Sequence, residues 1–90
     1  MTTATTFRPV VTCVWLMLVD DECDLIAYSE REARDHARDM RKDGYTVRAL
    51  WCETAQVADD LEQAIKYSDK SQASIIRHAK ALGTVKTSSI

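Results

Sequence analysis

Ninety residues, 46% of them hydrophobic and 29% charged, suit one small globular domain and exclude both a second domain and a disordered chain. Twelve basic and 14 acidic side chains give a formal net charge of −2, which excludes a general attraction to nucleic acid or anionic membrane and leaves such binding to a local patch. The three cysteines, Cys13, Cys23 and Cys52, are odd in number and widely spaced; they read as small hydrophobes of a reducing, cytoplasmic compartment, not as a disulfide framework.

Residues 1–9 are Thr/Ala-rich and aperiodic and are expected to form a flexible leader. They lack the basic start and small-residue cleavage site of a secretory signal. Residues 10–19, VVTCVWLMLV, are apolar on both alternating faces and too short to span a bilayer. The β-branched and aromatic content predicts a buried strand. Val10, Thr12, Val14, Leu16 and Leu18 fall on one face, and Val11, Cys13, Trp15, Met17 and Val19 on the other. The acidic cluster Asp20-Asp21-Glu22-Cys23 predicts a turn of about four residues, returning into a shorter strand at residues 24–28.

Ser29-Glu30-Arg31-Glu32 has the form of a capping box, with the Glu32 carboxylate expected back on the Ser29 N–H. The helix that follows sets Ala33, His36, Ala37 and Met40 on a narrow face and stops at Gly44. Residues 45–52 alternate as a third strand, with Tyr45, Val47, Ala49 and Trp51 on one face. Thr54 caps a second helix whose Val57, Ala58, Leu61, Ala64 and Ile65 recur at helical spacing. One continuous helix over 55–82 would be roughly 42 Å long, more than a small sheet can cover. A hinge at residues 68–71 and a last helix ending at Gly83 are therefore expected, and residues 84–90 read as a tail. The fold class is α+β, ββαβα(α), a three-stranded antiparallel sheet of order 2-1-3 with helices mainly on one face, built from residues 10–83.

Motifs for chemistry are sparse. His36 and His78 lack the paired spacing of a zinc site, and no other metal or cofactor is implied. Cys23, at the turn, is the cysteine expected to be accessible, but nothing orients a base towards it. Asp20, Asp21, Glu22 and Asp24 lack the oxygen spacing of a calcium loop; they form a solvated tip or an acidic knob for a basic partner. Arg31, Arg34, Arg38, Arg41 and Lys42 share one stripe of the first helix, flanked by Asp35 and Asp39. The stripe is either a solvated, salt-bridged face or a contact for phosphate or acidic protein. It lacks interleaved aromatics, which weakens a single-strand nucleic-acid reading. Residues 79–90 are similar to the A-x-x-L-G-V-S-x-S-T pattern of many helix-turn-helix repressors, one residue longer at the turn. The recognition helix this resemblance implies would start near Thr87, too close to Ile90 to fill a major groove.

The first strand has more apolar area than the narrow first helix can cover, and Trp15 and Met17 lie on its second face. That surplus is expected to be closed by the last helix, by a second copy, or by another protein, since Trp, Met and Arg favour interfaces. The leading expectation is a small non-enzymatic protein-binding module that occupies a surface of a larger partner. Trp15 and Met17 would supply affinity; Arg31, Arg34, Arg38, Arg41 and the acidic Asp20, Asp21 and Glu22 would orient the partner. In size and architecture the chain resembles small accessory proteins of bacteriophages and mobile elements, several of which inhibit host defence or host enzymes. The alternatives are a nucleic-acid-associated regulator using the basic helix face and a small enzyme subunit using Cys23 or His78.

Overall fold

The computed structural model describes residues 13–90, so the expected leader and residues 10–12 of the expected first strand lie outside it. The chain order is β1 (Val14–Val19), β2 (Glu22–Ala27), α1 (Glu30–Lys42), β3 (Val47–Cys52), α2 (Ala55–Tyr67), α3 (Gln72–Ala81) and β4 (Val85–Ser88). The four strands form one sheet of order β2-β1-β3-β4, antiparallel at every pairing. β1 is central, as its two-sided apolar run requires.

That run decides the layering. Val14, Leu16 and Leu18 of β1 join Leu50, Cys52 and Val85 against Ala58 and Leu61 of α2 and Ile76 of α3. Met17 joins Ala27, Val47 and Ala49 against Ala33 and Ala37 of α1, with Trp15, Val19 and Met40 packed around them. The helices therefore cover both faces, not mainly one. The physical reason is volume: α1 presents alanines and approaches one face closely, so the bulkier α2 and α3 cannot share that side and take the other. Each fully buried Leu in these layers contributes roughly 1.5–3 kcal/mol.

A four-stranded sheet replaces the expected three because residues 85–88 are a strand, not a tail. A single apolar residue, Val85, gives this segment no readable alternation. It is held by pairing with β3 and by burial of Val85, which is 1% exposed. Thr87 lies within this strand, so the helix-turn-helix resemblance does not extend to the structure. The α2–α3 excursion closes where the Glu53 N–H donates to the Thr84 carbonyl at 2.9 Å.

The hairpin turn is also tighter than expected. Asp20 and Asp21 alone connect β1 to β2, both at positive φ (50° and 67°), the geometry of a type I′ turn. Asp tolerates this left-handed region because its short polar side chain can bond locally. Asp20 does so: its Oδ1 accepts from the Thr46 N–H at 2.9 Å, and its own N–H donates to the Thr46 carbonyl at 2.8 Å. β2 consequently begins at Glu22, and the pairing jumps from Met17–Leu25 to Leu18–Cys23, leaving Asp24 as an extra, bulged residue.

Helix ends follow the sequence closely. The Ser29, Thr54 and Ser71 hydroxyls accept from the backbone N–H groups of Glu32, Val57 and Ser74. The Glu32 carboxylate takes the Tyr28 N–H at 2.8 Å instead of the expected Ser29 N–H. Gly44 and Gly83 follow α1 and α3 at φ of 94° and 83°. The chain breaks between α2 and α3 at residues 68–71, as the interrupted apolar stripe predicts. β3 starts at Val47, two residues later than expected, and Tyr45 stays exposed outside it.

Candidate functional site

Strand register lines up one row of residues across the α1 side of the sheet. Ala27 pairs with Trp15, Trp15 with Trp51, and Trp51 with Lys86. The α1 helix covers the Ala27 end of this row. Trp15 is partly buried beside the alanine-rich core, whereas Trp51, also partly buried, belongs to neither core cluster. The Lys86 ammonium sits 5.3 Å from the centre of the Trp51 ring, within cation–π range.

The two indoles floor an open groove of about 430 Å³, rimmed by Glu30 and Arg34 at the start of α1 and by Lys86 to Ile90 on the other side. A second hollow of about 360 Å³ lies between Arg34, Arg38 and Arg41 and the Ser89-Ile90 segment. Arg34 borders both, so the two make one trough along the β4-facing flank of α1. Cations dominate its walls: three arginines and Lys86 against the Glu30 carboxylate.

The structure separates the residues expected to act together. Trp15 reaches the groove, but Met17 is 0% exposed beneath α1 and offers nothing to a partner. Arg34, Arg38 and Arg41 line the trough; Arg31 lies on the opposite flank of α1, beside Leu25, Asp35 and His36. Arg34 pairs with Glu30, and Arg38 with Asp35 and Asp39, all within α1 and all on exposed side chains. Arg41 differs. Its guanidinium donates to the Ile90 carbonyl at 2.7 Å and to the Val47 carbonyl at 3.2 Å, clamping the sheet edge to α1. Asp20, Asp21 and Glu22 sit at the far end of β1 from Trp15, so the acidic tip and the basic trough are distinct surfaces.

Trp51 and Lys86 are the contributors that the sequence reading missed. The alternation of β3 places Trp51 on the Val47/Ala49 face, but only the β1–β3 register sets it beside Trp15. Lys86 gave no signal because its segment did not read as a strand.

The titratable candidates are packed, not poised. Burial pushes the Cys52 thiol up to about 11, with a backbone hydrogen bond from Leu16 opposing weakly. Cys23 is not the accessible turn cysteine expected: it lies within β2 and packs on the α2 side. Burial and the Glu62 carboxylate raise its thiol, with Lys66 acting the other way. The bulge at Asp24 turns that carboxylate toward α1, where its Oδ2 lies 2.6 Å from His36 Nε2. Among the described residues no cluster of three His, Cys, Asp or Glu side chains could hold a metal ion. No helix among them is long and apolar enough to cross a membrane.

No family model matches the chain, and neither curated proteins nor solved structures give a significant match. An indole floor with cationic walls can hold an apolar or aromatic side chain by area and a neighbouring anionic group by charge.

Proposed function

We propose that this chain is a non-enzymatic binding module that occupies a surface of a larger protein partner, and that the Trp15–Trp51–Lys86 groove is its contact. The observation that carries this reading is the pairing of two tryptophans side by side on a part of the sheet that α1 leaves open. Trp and Arg are the residue types most enriched where binding energy concentrates. Three free cysteines suit a partner met in a reducing compartment, such as the cytoplasm.

A nucleic-acid reading has one point in its favour, because the fold supplies the aromatics that the arginine stripe lacks in sequence. Against it stand the net charge of −2 and the intrahelical carboxylates that already pair with Arg34 and Arg38. Protein is the better fit.

The test is capture by the immobilised full chain, comparing it with Trp51→Ala and Lys86→Glu variants whose far-ultraviolet circular dichroism is native. The expected result is one protein species, identified by mass, retained through nuclease treatment and lost from both variants. Retention by both folded variants removes the groove from the binding surface. A species released by nuclease and by added salt transfers the reading to nucleic acid.

A further inference from the structure

We infer that a second hollow of this molecule takes its occupant from the chain itself: residues 7–12, which lie ahead of the described structure, fold back between α2 and α3. This goes beyond the binding-module reading, whose groove is on the opposite side of the sheet. The hollow holds about 340 Å³ and is walled by Val57, Leu61 and Ala64 of α2 and by Ile75, Ala79 and Leu82 of α3, with Thr84 and Val85 at its foot. Its walls are apolar, and Leu82 at its mouth is 66% exposed. Apolar surface of this kind gains from a cover.

Placement and composition select that cover. Val14 pairs with Cys52, and Cys52 with Val85, so the start of β1 lies two strands, about 10 Å, from the foot of the hollow. The same end of the sheet is where β3 runs into α2 and where α3 returns to β4. From Leu82 back to Ile75 the hollow follows α3 for about 10 Å more. An extended chain covers roughly 3.3 Å per residue, so Val10 reaches the mouth and Phe7 the far wall. Phe7, Val10 and Val11 supply apolar side chains for such a route, and Arg8 is the one charged side chain among residues 1–12. On the α2 rim the Asp60 carboxylate accepts from the Gln56 amide at 2.8 Å and pairs with no cation among the described residues. Arg8 is the complement of that carboxylate, whereas the rim of the Trp groove already carries Arg34 and Lys86. Tethering also gives the segment an effective concentration on the order of millimolar, an advantage that a free partner or a second copy lacks.

The test is nuclear magnetic resonance of the full chain with its methyl groups and its single phenylalanine, Phe7, isotopically labelled. The expected result is short-range magnetisation transfer from the Phe7 ring to the methyls of Leu61, Ile75 or Leu82, unchanged on dilution. A Leu82→Lys variant of native circular dichroism should lose that transfer, because the new ammonium removes apolar wall and repels Arg8; Leu82 is exposed enough for the fold to tolerate it. Transfer found only between differently labelled molecules assigns the hollow to a second copy and overturns the inference. So does a Phe7 ring that contacts the indoles of Trp15 and Trp51, one that contacts neither groove, or one whose contacts survive Leu82→Lys.

Discussion

Arg41 carries more structure than its neighbours. Arg34 and Arg38 pair within α1 on exposed side chains, the kind of contact worth about 0–1 kcal/mol. Arg41 reaches out of the helix to two backbone carbonyls, one of them 49 residues away in sequence. Hydrogen bonds from a charged donor are worth about 1.5–3 kcal/mol. Arg41→Ala should therefore lower unfolding free energy by roughly 1–3 kcal/mol, while Arg38→Ala changes it by no more than about 0.5 kcal/mol. Urea denaturation of the two variants checks this, and equal effects would remove the clamp from the account. The stripe itself is legible in the sequence, because Arg34, Arg38 and Arg41 recur at helical spacing. The division of labour is not, since the carbonyls that single out Arg41 lie on β3 and at Ile90.

At the scale of the element, the β1–β2 hairpin is the part whose presence the sequence signals and whose detail it hides. Asp20-Asp21 is not one of the glycine-containing pairs that announce a two-residue turn. Both residues nevertheless sit at positive φ, and only Asp20 has a tertiary hydrogen bond to offset the strain. Asp21→Gly should raise stability by about 0.5–1 kcal/mol through relief of the left-handed backbone. Asp20→Gly should give no such gain, because the Thr46 N–H loses its acceptor. Denaturation midpoints compare the two, and faster hydrogen exchange of the Thr46 amide in Asp20→Gly alone would tie the difference to that bond. The bulge at Asp24 escapes sequence reading for a related reason. Pairing across the turn sets it: strict alternation would put Cys23, Leu25 and Ala27 on one face, whereas the bulge sends Cys23 to the α2 side.

For the whole molecule, the strand order β2-β1-β3 and the helix boundaries follow from patterns visible in the chain: the doubly apolar β1, the three caps and the glycine stops. The layering and β4 do not. Two oily faces on β1 demand two covers, yet which helices supply them depends on bulk: the alanines of α1 against Leu61 and Ile76 of α2 and α3. β4 earns its place through burial of a single residue and through backbone pairing that leaves no side-chain pattern. Removing residues 84–90 should accordingly destabilise the domain by about 3 kcal/mol or more, since burial of Val85 alone is worth roughly 1.5–3 kcal/mol and a chain this size has little margin. Loss of the near-ultraviolet tryptophan signal or of a cooperative thermal transition would register it. A truncated chain that melts like the parent would make the strand dispensable.

The unlike character of the two cores has a consequence for how β1 finds its alignment. A ribbon that is greasy above and below gets no help from water in choosing which way up to lie. What distinguishes the sides is thickness: a thin alanine seam under α1, and a thick seam of leucine, isoleucine and valine under α2 and α3. Sliding β1 by one residue would wedge Leu16 and Leu18 into the thin seam and leave Met17 in the thick one. Bulk, acting as a calliper, sets the phase that polarity sets in sheets with one wet face.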